Sequence, residues 1–193
     1  MAIQDLLRPW AGVAYRHIPA DATTGVLNFR LATPIRENRW NSTGQPTLYL
    51  ASDYGVVIGE YARHFEDGRD TEQGRGTGAR RIYRITVTVE HLLDLRDPRA
   101  HEALSLVNAP VCFLDETIAR ATADYVRRAT PAQALLAPSM VFLDDPSRWI
   151  LVLFLEKLPA DPHAFLSAEA DSTFRLDSPH SRFLPTEGGE RVR

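Results

Sequence analysis

The sequence predicts an α+β domain with a compact mixed sheet core and flanking helices. Three observations carry this. Short apolar, β-prone segments recur along the chain. One longer segment has helical spacing behind a capping signal, and another is acidic at its start and basic at its end. Only one strand–helix–strand unit has the makings of a parallel pair, too few for a doubly wound sheet. The 193 residues suit one domain, expected over 1–180, with a flexible tail over 181–193.

The elements follow in order. "GVAYRHI" (12–18) is β-prone and stops at Pro19, a first strand. Residues 21–45 are rich in polar and turn residues and read as a surface loop. "PTLYLA" (46–51) is a short strand whose alternation puts Tyr49 on the face opposite Leu48 and Leu50. "SD" then caps a helix in which Tyr54, Val57, Ile58, Tyr61 and Phe65 recur at helical spacing. A Gly-rich charged loop leads to a long strand, "RIYRITVTVEHLLDL" (81–95). "DETIARATADYVRRA" is a helix, acidic at its start and basic at its end, as the macrodipole prefers. "PAQALLAPSMVFL" reads as a short helical or irregular piece followed by a strand from near Ser139. "RWILVLFLEKL" is a core strand, and "FRLD" (174–177) an edge strand.

Composition narrows the function classes. With 22 basic and 25 acidic residues the formal net charge is -3, so neither nucleic acid nor an anionic membrane is expected as a direct partner. The single Cys112 makes no internal disulfide, reads as a small buried apolar residue, and leaves no Cys/His cluster for a metal. The longest apolar run, "WILVLFL", is too short to span a bilayer, and no targeting segment is visible, so a cytoplasmic location is expected. The glycines of "GRGTG" precede a strand and not a helix, which argues against a phosphate loop.

On pattern alone Arg39 reads as a surface arginine, Tyr49 as a core tyrosine and Glu60 as a helix-flank carboxylate beside Arg63 and His64. Arg16 is a charge in a β-prone segment. The ordered combination says more. "YRH" near the start, then "RWNSTGQPTLYLASDYGVVIGEYARH", then "ALLAPSMVF" resemble the RES domain over roughly 15–177. The resemblance implies a fold like that of ADP-ribosyltransferase toxins and a toxin that consumes NAD, held inactive by a cognate helix-turn-helix antitoxin. A homodimer is a further partner expectation. It places the family's two arginines at Arg16 and Arg39, its tyrosine at Tyr49, its glutamate at Glu60 and its serine at Ser139. Arg16, Arg39, Tyr49 and Ser139 are then expected to hold NAD, and Glu60, Tyr49, Arg39 and Ser139 to serve the chemistry, with no metal. The implied reaction is cleavage of the nicotinamide–ribose bond by water or phosphate. Transfer of ADP-ribose to a cellular protein from the same site is the alternative, and a catalytically silent partner-binding domain is a third reading. Two departures, "ALLAPS" before Ser139 and Trp149 in place of a small polar residue, bear on pocket shape.

Overall fold

The structure, a computed structural model, describes residues 2–28, 37–66 and 78–176, with the backbone alone for 64–66. Most of the Gly-rich loop after the first helix, part of the 21–45 loop, and the 181–193 tail lie outside the described residues, as does the side chain of His64.

Among the described residues, six strands and three α-helices make the α+β fold: β1 (Arg8–Pro19), β2 (Thr47–Ala51), α1 (Tyr54–Glu66), β3 (Arg80–Asp94), α2 (Pro98–Ala103), α3 (Glu116–Ala129), β4 (Ala134–Pro138), β5 (Trp149–Phe154) and β6 (Leu166–Phe174). The sheet order is β1-β2-β5-β4-β3-β6, and β1 also pairs with β3. The first five strands therefore close on themselves, with β6 outside β3. Closure is uneven. β1 and β3 run antiparallel from Pro19↔Arg80 to Arg8↔Leu92, whereas β1 meets β2 only at Tyr15↔Ala51. The long β3 takes β6 along residues 80–87 and, among the described strands, makes the one parallel pair with β4 at 92–94. That pair is joined through α2 and α3, the crossover a parallel connection needs.

Strand alternation sorts the apolar residues to two sides. Ala14, Leu48, Leu50, Ile85, Val87, Leu136, Leu151 and Leu153 fill the inside of the ring. On the outside, Leu93, Leu135, Val152 and Phe154 pack under α2 and α3 with Phe113, Ala119, Ala123 and Val126. Ala51 and Ile82 pack under α1 with Val56 and Val57, and Ile150 touches both outer clusters. α1 is capped as the sequence predicts, its Val56 N–H donating to Asp53 Oδ1 at 3.0 Å; α3 has a cap of the same kind, the Thr117 N–H donating to Asp115 Oδ1 at 2.8 Å.

Two expectations are corrected. The strand expected from near Ser139 instead runs 134–138 and stops just before that serine. All five of its residues are buried, so it carries no alternation to separate it from a helical piece. The edge strand expected at 174–177 is 166–174 instead. Polar side chains on its exposed face hid it, as an edge strand's composition does. The sequence reading also passed over α2, which Asp97 caps and Pro98 opens.

Candidate functional site

The outer face of β2, β5 and β4 is laid out in rows by register. Tyr49, Val152 and Leu135 form one row; Ala51, Ile150 and Ala137 form the next. Ser139 follows Ala137 by two residues and continues this face just past the end of β4, where its N–H donates to the Arg148 carbonyl at 3.1 Å. The two alanines keep the middle row low. At one end of this face stands Tyr49; at the other, α1 brings Glu60 down onto Ser139.

Three donors converge on Glu60. The fully buried Ser139 Oγ–H donates to Oε1 at 2.8 Å, and the Met140 N–H to the same oxygen at 3.1 Å. Arg63, one turn along α1, pairs with Oε2 at 3.3 Å. Ser139 Oγ in turn accepts from the Val141 N–H at 3.3 Å. The serine thus ties the carboxylate to the start of the 139–148 segment. The Glu60 side chain is 18% exposed, so its charge is oriented by protein donors yet reachable from solvent.

Beside this pair runs an apolar groove of about 460 Å³, lined by Gly55, Ile58, Gly59, Ala62, Arg63, Val141 and Phe142. Gly59 permits its close wall: a Cβ there would lie 3.0 Å from Val141 Cγ1 and 3.4 Å from the Phe142 ring. The Arg148 guanidinium stacks over Phe142 at 4.0 Å. A fixed carboxylate at the edge of such a groove is suited to stabilising positive charge that develops on a bound molecule.

Arg39 and Tyr49 lie at the α3 end of the same face. The buried Arg39 guanidinium donates from one nitrogen to the Phe113 and Leu114 carbonyls at 2.6 and 3.0 Å, and from the other to Glu116 at 3.2 Å. It clamps the 37–45 segment onto the start of α3. Tyr49 donates its hydroxyl hydrogen to Asn41 Oδ1 at 2.6 Å and accepts from the Trp40 N–H at 3.3 Å. Burial pushes the Tyr49 phenol well above its ordinary range, which keeps it a hydrogen-bond donor. Asn41, fully buried, fixes the direction of that hydroxyl. It stands two residues after Arg39 in the "RWN" segment, but nothing in periodicity marks it as the tyrosine's partner.

Arg16 faces elsewhere. Tyr15 turns toward α1, its ring 5.0 Å edge-on from Tyr54, so alternation sends Arg16 to the ring-interior side of β1. There it donates to the Val26 carbonyl at 2.8 Å. Burial, and then the neighbouring Arg80, push its guanidinium down to about 10. The structure therefore brings Glu60 and Ser139 into direct contact, seats Tyr49 and Arg39 at the far end of the same face, and sets Arg16 on the other face of β1. Among the described residues no group of three or more His, Cys, Asp or Glu could hold a metal, and no helix is long and apolar enough to cross a membrane.

A sequence profile of the RES domain matches residues 9–177. Among solved structures, a chain of the M. tuberculosis MbcT–MbcA toxin–antitoxin complex is similar in fold, with a TM-score of 0.62 and 21% identity over 90% of this chain and 87% of that one. No curated protein sequence matches the chain.

Proposed function

The chain belongs to the RES domain family, and on that premise we propose that it is the toxin of a toxin–antitoxin pair. It acts in the cytoplasm and consumes NAD by breaking the nicotinamide–ribose bond. The observation that carries this reading is the Glu60 carboxylate, held by Ser139, Met140 and Arg63, with Arg63 also lining the neighbouring apolar groove.

When the bond breaks, its electron pair leaves with the pyridine nitrogen as neutral nicotinamide, and positive charge develops on the ribose. Glu60 stabilises that charge and holds a ribose hydroxyl or the incoming oxygen nucleophile. Ser139 acts through Glu60 as a positioning residue. Tyr49, its hydroxyl aimed by Asn41, stands at the far end of the same face and is assigned to stacking through its ring. Arg39 is assigned to the pyrophosphate, whose oxygens a guanidinium fork binds bidentately; Arg16, on the ring-interior side of β1 where it donates to the Val26 carbonyl, is not placed to share it. Water or phosphate is the nucleophile in this reading, and a helix-turn-helix antitoxin is the partner.

The test is nicotinamide release from NAD by the purified chain, with Glu60→Gln as the comparison. Loss of release in a variant that unfolds like the wild type supports the reading. Label from radioactive NAD appearing on a protein band would show transfer to a protein in place of cleavage.

A further inference from the structure

The outward side of α3 is unlike the rest of that helix. Its charged residues from Glu116 to Arg127 are engaged within the chain. Glu116 pairs with Arg39, Arg120 pairs with Glu37, Asp124 accepts from Ser42 and Gln45, and Arg127 bonds Thr47 and Glu156. What remains outward is Ile118, Ala121, Tyr125 and Arg128, all exposed, with Ile118 at 38% and Tyr125 at 51%. Their spacing of three, four and three residues is that of a helix–helix packing seam. Val111 and Leu114, on the 3-10 turn just before α3, extend the apolar stripe, being 45% and 52% exposed. Ile118, Ala121 and Tyr125 thus form an apolar stripe, ended by Arg128, on a helix whose charges from Glu116 to Arg127 are occupied, the pattern of a face that takes a partner.

We propose that this partner is a second copy of the chain, packed α3 against α3 in antiparallel fashion about a two-fold axis beside Ala121. Two features select a copy of itself. First, the stripe is self-complementary under that rotation: Ile118 lies against Tyr125 of the second copy, and the small Ala121, next to the axis, lets the helices approach closely. Second, the ends of the helix carry opposite charge. Asp115 caps the N-terminus, and Arg128 stands exposed in the last turn. The same rotation sets Asp115 against Arg128 of the second copy at both ends of a seam of about 20 Å, with the macrodipoles opposed. A parallel arrangement would set like charges together. The catalytic carboxylate is on α1, so the dimer leaves the Glu60 groove free of this contact.

Sedimentation equilibrium over a range of concentrations tests this on the full chain. The expected mass rises toward twice the 21.6 kDa of one chain. Ala121→Arg, which places two guanidinium groups at the axis, is expected to stay monomeric with an unchanged circular-dichroism spectrum and a melting point that no longer depends on concentration. As an independent check, Ala121→Cys in a Cys112→Ala background should form a disulfide-linked dimer on mild oxidation, while Asp171→Cys on β6 in the same background should not. A chain that is monomeric at every concentration overturns the proposal, as does a dimer that Ala121→Arg leaves intact. A monomeric wild type whose binding to an antitoxin is lost in Ala121→Arg overturns it too, by assigning the face to that other partner.

Discussion

Replacing Ser139 by alanine removes one oxygen from the best-defined contact in the site. Ser139 is fully buried, so no solvent replaces its hydroxyl. Its bond to Glu60 is charge-assisted at 2.8 Å, and its oxygen also serves the Val141 N–H. A hydrogen bond to a charged group is worth about 1.5–3 kcal/mol. For a chain of this size that lowers the melting point by roughly 3–12 °C. Glu60 keeps the Met140 N–H and Arg63, so the carboxylate stays in place but gains freedom about its Cγ–Cδ bond. If the lost bond serves to hold the reactive orientation, kcat falls by about 10- to 150-fold while KM for NAD moves little. Nicotinamide release measured against NAD concentration, with thermal unfolding on the same preparations, reads both effects. Ser139→Thr, which keeps the hydroxyl, should recover most of the rate wherever its extra methyl is tolerated. A variant that loses the stability but keeps wild-type kcat refutes the positioning role and leaves Ser139 a purely structural serine.

Gly59→Ala should push Val141 away from α1, because the new Cβ would sit 3.0 Å from its methyl. The helix-propensity gain of about 1 kcal/mol offsets much of the strain, so nicotinamide release should fall more than the melting point does. Arg39→Lys cannot reproduce the fork onto the Phe113 and Leu114 carbonyls and Glu116, and should cost about 2–3 kcal/mol in urea unfolding. Tyr49→Phe leaves Asn41 Oδ1 without its donor and should cost about 1–2 kcal/mol at neutral pH. Because the Tyr49 phenol is raised in the folded chain, the unfolded chain loses that proton first. Wild-type stability should therefore decline as pH rises above about 10. Tyr49→Phe should lack that part of the decline in denaturant titrations at pH 8 and above 10.

Much of this was legible in the residues, for reasons that differ by element. α1 and α3 carry their own punctuation, an aspartate cap and an apolar stripe, so local chemistry decides them. Tyr49 between two leucines had to face away from them, and it does: Leu48 and Leu50 lie inside the ring while Tyr49 lies outside. β4 starts five residues before its expected place because a strand buried on both faces has no period to read, and β6 starts eight residues before its expected place because an edge strand has little apolar content. The proximity of Glu60 to Ser139, 79 residues later, is a product of sheet register, which no local pattern encodes. The separation of Arg16 from Glu60 likewise depends on which face of β1 meets α1. That was fixed by the packing of Tyr15 on Tyr54, a long-range contact.

In the proposed reaction the Glu60 carboxylate performs the chemistry. The most direct test of this is nicotinamide release by wild type and Glu60→Gln at matched folded concentration. The glutamine keeps an oxygen for Ser139 and Met140 and loses the negative charge. Its weakened contact to the part-exposed Arg63 costs at most about 1 kcal/mol of stability. The wild type should release nicotinamide, and the variant, melting within a few degrees of it, should do so at least a hundredfold more slowly. Equal rates from the two proteins would contradict that role for Glu60.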